Sequence, residues 1–439
     1  AKVERLLRGA KEEKKEIAGN MAGDKDSGVE WIGAIPKGGK VNKLKYICHE
    51  YGKTSLMHPE NNKYIGLENV ISYSDVINTT DTEYTESIQK VCKKGALLFS
   101  KLRPYLAKVI IAPFDGYCTN EFLEFDYFYG DMRFLKHCLR NPKFINEVDN
   151  TTYGVKMPRT NTGIVLNQYI PLPPLPEQQR IADFLDTKCN ILDRTIDAVS
   201  RQIEDLEKYK KALITKTVTK GICKKGEPER AMKDSGVEWI GEDIPFDWDI
   251  NRLQFCIDEI SERNYTGKET QILSLMKDKG VIPYEEKGKV GNISKTDLTQ
   301  YKLAYPNTLI TNSMNIIIGS SGISQYKGCV SPAYYIFKAK PNNDIRYFNY
   351  IFAVRAFQNE CRRFANGILE IRLRISSTNL LKIKVPVPPL AEQQQIADYL
   401  DEKCKNIDNR VQKRRQQLEW LKEYKKSLIF DYVTGKKRV

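Results

Sequence analysis

Four short stretches of this 439-residue chain hold side chains suited to gripping an anion or reading a polar edge. "SKLRPYLAK" offers Ser100, Lys101, Arg103, Tyr105 and Lys108, and "YGVKMPRTN" offers Lys156 and Arg159. "NSMNIIIGSSGISQYKG" offers Asn312, Ser313, Asn315, Ser320, Ser321, Tyr326 and Lys327, and "RLRIS" offers Arg372 and Arg374. Arg and Lys suit phosphates and guanine edges, Asn suits adenine edges, and hydroxyls suit either. Any one of these residues alone reads as a solvated surface group. As a set, in corresponding places along the chain, they point to nucleic acid. A net charge of +14 and a pI near 9.1 favour the same partner, because Lys and Arg neutralise phosphates.

Catalytic chemistry finds little support. There is no GxGxxG after a strand, no P-loop, no HExxH and no GxSxG. "KGGK" at 37–40 has too few glycines in frame to cradle a phosphate. The three histidines (His49, His58 and His137) all fall in the first half of the chain, so a histidine-based site would have no counterpart in the second. Ten cysteines are scattered singly without a CxxC pair, which argues against zinc and against a disulfide framework. No apolar run is long enough to span a bilayer and no signal peptide opens the sequence, so the chain reads as cytosolic.

The elements that would position these loops are written twice. "DSGVEWIG" at 26–33 returns unchanged at 234–241. "PPLPEQQRIADFLDTKC" at 173–189 returns as "PPLAEQQQIADYLDEKC" at 388–404, and "YKKALI" at 209–214 as "YKKSLI" at 424–429. Fainter echoes keep the same order: "GALLFSKLR" with "NTLITNSMN", "GYCTNEFLEF" with "GCVSPAYYIF", "DMRFL" with "DIRYF", and "MPRTN" with "RLRIS". The offset drifts only from 208 to 215, so the chain is two copies of a unit of about 210 residues. The conserved parts form a frame and the divergent middles carry the contact loops.

A long helix is expected from Glu177 to Val218, begun by the prolines before it. Its apolar positions, Leu185, Cys189, Leu192, Ile196, Val199, Ile203, Leu206 and Leu213, follow a 4-3 heptad spacing broken at Lys210. The second copy supplies Leu400, Cys404, Ile407, Val411, Leu418, Leu421 and Leu428, with Arg414 and Lys425 polar in the seam. Two such seams in one chain should pair antiparallel, holding the globular halves at opposite ends of a rod. The alternatives are that each helix packs only on its own half, or pairs between molecules. Glu177 and Glu392, in the first helical turn, read as complements to the helix dipole rather than as catalysts.

In the first half, "KYIGLENVI", "ALLFSKL", "AKVIIAPF" and "GYCTNEFLEF" read as short strands, followed by a helix over about 131–148. The second half reads alike, with its helix over about 344–365. The fold class is therefore α+β with a pseudo-two-fold internal repeat. Trp31 and Trp239, in the repeated phrase, are expected to anchor the packing where each globular half begins.

Together, "DSGVEWIG" followed by "IP", "PLPPLPEQQRIADFLD" and "VPPLAEQQQIADYLD" resemble the specificity subunit of a type I restriction–modification system, over most of residues 26–439. The resemblance implies two tandem target-recognition domains, at 26–170 and 226–385, each reading one half of a split double-stranded DNA target in the major groove. It implies spacer helices over 171–225 and 386–439 that set the distance between half-sites and dock two methylation subunits. Restriction subunits would attach through those. No cofactor is expected in this chain; S-adenosylmethionine, ATP and Mg would sit on the partners, and the chain would not itself be an enzyme. Residues 1–25 lie outside the matched pattern and read as a tail, either a short helix or an expression remnant. The alternative is a coiled-coil interaction scaffold without sequence-specific DNA binding.

Overall fold

The computed structural model describes residues 24–57, 63–78, 87–154, 156–222, 230–276, 279–288, 297–314, 316, 319–365 and 373–439. The chain divides into two compact units, Ala1–Ser200 with Gln416–Val439, and Arg201–Arg415. Each unit thus holds one globular half, the start of that half's own long helix, and the end of the other long helix.

In the first unit the repeated phrase forms a hairpin, Asp24–Asp26 against Ala34–Pro36. Its turn is closed locally: Gly28 N donates to Asp26 Oδ1 at 3.0 Å, and Gly28 takes a φ of +72°, which glycine adopts without steric cost. The second copy makes the same turn, with Gly236 N on Asp234 Oδ1 at 2.9 Å and a φ of +59°. The identity of the two phrases therefore has a local reason. Trp31 and Trp239 are both buried, edge-on to Phe144 and Phe357, and anchor each half as expected.

Beyond the hairpin, Lys40–Lys43 pairs with Tyr169–Leu172. An antiparallel sheet then orders Cys48–Glu50, Phe122–Phe128, Leu97–Ser100 and Val109–Ile111. A second sheet orders Thr54–Leu56, Ile88–Cys92, Gly116–Cys118 and Tyr64–Ile65, the last pair parallel. The second unit repeats the first of these sheets with Ile257–Glu259, Tyr334–Ala339, Leu309–Asn312 and Ser321–Ile323. The expected strands are present, although "KYIGLENVI" gives only the two residues Tyr64–Ile65 before turning. The helices expected over 131–148 and 344–365 are each broken in two. Met132–Leu139 ends before Asn141, which caps Pro142–Asp149, and a proline is welcome only in a helix's first turn. In the second unit Ile345–Ala353 and Arg355–Arg363 meet at an extended Val354.

The long helices run Leu175–Lys220 and Leu390–Val433, 46 and 44 residues. At 1.5 Å per residue each is roughly 65–70 Å long. The repeated "EQQ" fastens each helix to its globular half. Gln178 Oε1 accepts from Asp131 N at 3.1 Å while its amide donates to Pro173 O at 2.8 Å. Gln393 does the same with Asp344 N at 3.0 Å and Pro388 O at 2.8 Å. Asp131 and Asp344 in turn cap Met132–Leu139 and Ile345–Ala353 and hold Arg133 and Arg346 against the long helix at Asp183 and Asp398.

Within each unit the two long helices lie antiparallel. Asp193 meets Lys425 in the first unit at 2.5 Å; in the second, Glu207 meets Arg415 at 2.8 Å and Lys210 meets Asp408 at 2.7 Å. Leu185, Leu192, Val199, Ile203, Leu400, Ile407, Val411, Leu421 and Leu428 are buried, and Ile196, Leu206, Leu213 and Leu418 half-buried. Two of the polar breaks in the seam, Lys210 and Lys425, are ion-paired across it. Lys210 and Lys425 are the same repeat position, as are Asp193 and Asp408, each 215 residues apart. The two pairs are therefore one contact made twice with the roles of the helices exchanged, as an antiparallel pair of equivalent helices requires.

Candidate nucleic-acid interface

The strand Leu97–Ser100 delivers the chain into "KLRPYLAK", and backbone bonds tie that loop to "MPRTN". Thr160 N donates to Lys101 O at 3.0 Å, Arg103 N to Pro158 O at 2.7 Å, and Lys101 N to Glu121 O at 2.9 Å. The second unit repeats the join: Ile375 N donates to Ser313 O and Ser313 N to Ala333 O, both at 3.4 Å. Loops some sixty residues apart in sequence are thus brought together in the same way in both halves.

In the first unit the loop backbone is strained. Arg103 and Ala107 both take left-handed φ values, +50° and +45°, on either side of a tight turn at Pro104–Leu106. Such conformations cost on the order of 1–3 kcal/mol each and persist where the surroundings enforce them, often at functional sites. The turn presents Tyr105, which is 45% exposed. Lys156 is exposed and Lys101, Arg103 and Arg159 are partly so. Arg159 holds Glu121 at 2.9 Å. Burial lowers the Lys101 pKa, the neighbouring Lys90 and Arg159 add to this, and Glu121 opposes it. Arg103 Nε, Glu121 Oε2 and Thr160 Oγ1 are buried and lack a hydrogen-bond partner among the described residues. Buried polar atoms are rarely left unpaired, so these three groups keep hydrogen-bonding capacity beside the joined loops.

Some of the expected contact residues are framework instead. Ser100 is buried and its hydroxyl donates to Leu102 O at 2.7 Å. The Lys108 ammonium turns inward to Leu67 O, and burial lowers its pKa. In the second unit Asn312 is nearly buried, its Oδ1 accepting from Met314 N at 3.0 Å, and Ser313 and Ser320 are buried too. All stand where a strand enters or leaves the loop; Ser100, Lys108 and Asn312 bond to nearby backbone there, while the buried Ser313 hydroxyl has no partner among the described residues. Ser321 is half-buried, while Tyr326, Lys327 and Arg374 are exposed. Asn315 and Arg372 lie outside the described residues. Sequence reasoning passed over Tyr153, Met157 and Met314, all well exposed on these same loops. The signal was available, since each sits within two or three residues of a residue that was singled out.

Among the described residues no group of three or more His, Cys, Asp or Glu side chains is placed to hold a metal. His49 pairs with Asp126 on an exposed strand at 2.6 Å, and His137 is fully buried against Asp186 at 2.8 Å. His58 lies outside the described residues. Among the described residues no helix is long and apolar enough to cross a membrane.

The chain and its fold have relatives among known proteins. The profile described as the type I restriction modification DNA specificity domain matches twice, over residues 36–208 and 252–419. The type I restriction enzyme MjaVIII specificity subunit of Methanocaldococcus jannaschii is 30% identical over 301 residues, 66% of each chain. The putative MjaX specificity subunit of the same organism is 28% identical over 93% of this chain and 96% of its own length. A solved chain from work on the assembly and conformational transition of a type I restriction–modification system shares the fold, with a TM-score of 0.66 at 17% identity over 92% of this chain and 99% of that one. The chain accordingly belongs to the type I restriction–modification DNA specificity family, as a DNA sequence-recognition subunit rather than an enzyme.

Proposed function

We propose that each unit reads one half of a bipartite double-stranded DNA target through its joined loops. In the first unit these are Lys101, Arg103, Tyr105, Lys156 and Arg159; in the second, Ser321 and Arg374, together with Asn315 and Arg372, while Tyr326 and Lys327, at the other end of the Leu309–Asn312 and Ser321–Ile323 hairpin, make a separate contact. Basic side chains hold phosphates and fix register, and the divergent loop residues read base edges in the major groove. The paired long helices set the distance between half-sites and dock two methylation subunits, through which restriction subunits attach. Those partners bring S-adenosylmethionine, ATP and Mg, and the assembly works in the cytoplasm. The globular halves correspond to 26–170 and 226–385, and the spacer helices to 171–225 and 386–439.

The observation that carries this reading is the repeated join of two loops, Thr160 to Lys101 and Ile375 to Ser313, inside otherwise divergent halves. A scaffold that bound only protein would have no need of the same loop join, carrying polar and basic side chains, in matching places of two divergent halves. Exchange of residues 246–385 for the corresponding stretch of another specificity subunit tests the reading. Mapping of methylated adenines should show one half-site replaced and the other unchanged; a change in both would overturn modular recognition.

A further inference from the structure

The two copies differ at one position inside the frame. After the repeated phrase, Gly39 N donates to Pro36 O at 2.8 Å, and Trp248 N donates to Pro245 O at 3.0 Å. The next residue enters the same strand pair in each unit, Lys40 opposite Leu172 and Asp249 opposite Val387. Gly39 and Trp248 therefore occupy the same place. Trp248 is fully buried, and its indole N–H donates to Glu392 Oε2 at 2.8 Å. Arg230 holds that carboxylate at 2.5 Å and lies over the indole, 5.7 Å from the ring centroid. In the first unit the counterpart of Glu392 is Glu177, 215 residues earlier, and Gly39 stands in the place of the Trp248 indole. A cavity of about 340 Å³ lies there, lined by Ile35, Gly39, Pro173, Glu177, Arg180 and Tyr432 among others. That volume falls in the roughly 300–1,000 Å³ range of small-ligand sites. Ala22 stands in the sequence where the second copy has Arg230, so both residues that occupy Glu392 are replaced by small ones.

We propose that this cavity binds an indole ring, with Glu177 accepting its N–H and Ile35, Pro173 and Tyr432 packing on its faces. The second unit supplies that ligand from its own sequence; the first takes it from outside. Of this chain's four tryptophans, Trp31, Trp239 and Trp248 are buried in their own places and Trp420 stacks on Tyr424 at 5.2 Å. Residues 1–23 contain no aromatic residue. The ring is either the side chain of a tryptophan on a partner polypeptide or a free indole.

Fluorine NMR of the full-length chain with 5-fluoroindole and with N-acetyl-5-fluorotryptophanamide tests this. Saturable binding with a Kd at or below about 1 mM is expected for the wild type. Gly39→Trp should abolish it by filling the cavity. A Cβ at position 39 meets Pro36 O at 3.1 Å and Ile35 Cδ1 at 3.6 Å, a fit that needs only a small local shift. Glu177→Ala should weaken binding several-fold, and Trp248→Gly should create a second site and gain thermal stability on addition of indole. Binding of both probes identifies a partner's tryptophan side chain, whereas binding of fluoroindole alone identifies a free ligand. No saturable binding by the wild type, or unchanged binding by Gly39→Trp, would overturn the proposal even if Trp248→Gly fails to fold.

Discussion

The reciprocal ion pairs of the long helices allow one chemical contact to be measured in two environments. Lys425 is 5% exposed, and its ammonium bonds to both Asp193 Oδ1 and Tyr73 O at 2.5 Å. Lys210 is 30% exposed and holds an Asp408 that is itself 57% exposed. Substituting either lysine by methionine keeps most of the side-chain volume and removes the charge. Lys425→Met leaves a quarter-exposed carboxylate and a backbone carbonyl without their donor. Breaking a buried pair costs about 3–5 kcal/mol; the partial exposure of Asp193 puts the loss near the lower end, about 3 kcal/mol. Lys210→Met should cost no more than about 1 kcal/mol, since water replaces its lost partner. For a unit of this size, 3 kcal/mol corresponds to a fall in Tm of roughly 6–12 °C. Urea unfolding followed by circular dichroism, with hydrogen exchange at 190–196 and 405–411 to localise the change, reads both variants. Adding Asp193→Leu to Lys425→Met should recover much of the loss, because the unpaired buried charge is then gone. Equal costs for the two lysines, or a further loss in the double variant, would refute the claim that burial rather than pairing sets the energy.

Three further outcomes are expected. Lys156→Ala should weaken DNA binding by the assembled complex at every sequence and reduce the slope of log K against log salt by about one, whereas Arg159→Ala, if it contacts a base edge, should cost about 1–3 kcal/mol at a single base position; salt titration on matched and mismatched duplexes separates the two. Burial holds the His137 pKa down to about 4, against the pull of Asp186. The unfolded chain gains a proton near pH 6.5 that the folded chain refuses, so stability should fall as pH drops from 6.5 to 4, by on the order of 3 kcal/mol. His137→Gln, which keeps a donor for Asp186, should flatten that loss in pH-dependent urea melts, and an unchanged profile would assign it to other groups. Insertion of one heptad into each long helix adds about 10 Å, at most roughly three base pairs, to the span between half-sites. Methylation mapping that found the original spacer would remove the ruler from the proposed function.

Much of this was legible in the residues themselves. The duplication, the heptad seams and the proline-led helix starts are local patterns, and local patterns survive in a single sequence. The polar breaks at Lys210 and Lys425 were visible as interruptions, but their partners were not, since Asp408 and Asp193 lie some two hundred residues away. The same limit applies to "EQQ": its repetition marked it, while the bonds from Gln178 and Gln393 that fasten helix to globular half depend on where Asp131 and Asp344 come to rest.

By itself, the sequence determined the architecture: two copies, two long helices, a basic polar set in each divergent middle, and the absence of catalytic signatures. Tertiary structure alone decided which of those polar residues face outward. Ser100, Lys108, Asn312, Ser313 and Ser320 share the composition of a contact loop but are buried or turned inward, and Ser100, Lys108 and Asn312 already bond to nearby backbone. Composition and spacing report what a side chain can bond to; only the folded backbone settles whether that capacity is already used. The same holds for Gly39, which the sequence offered only as part of a glycine pair too short to cradle a phosphate, and which lines a cavity once the second copy shows what its place can hold.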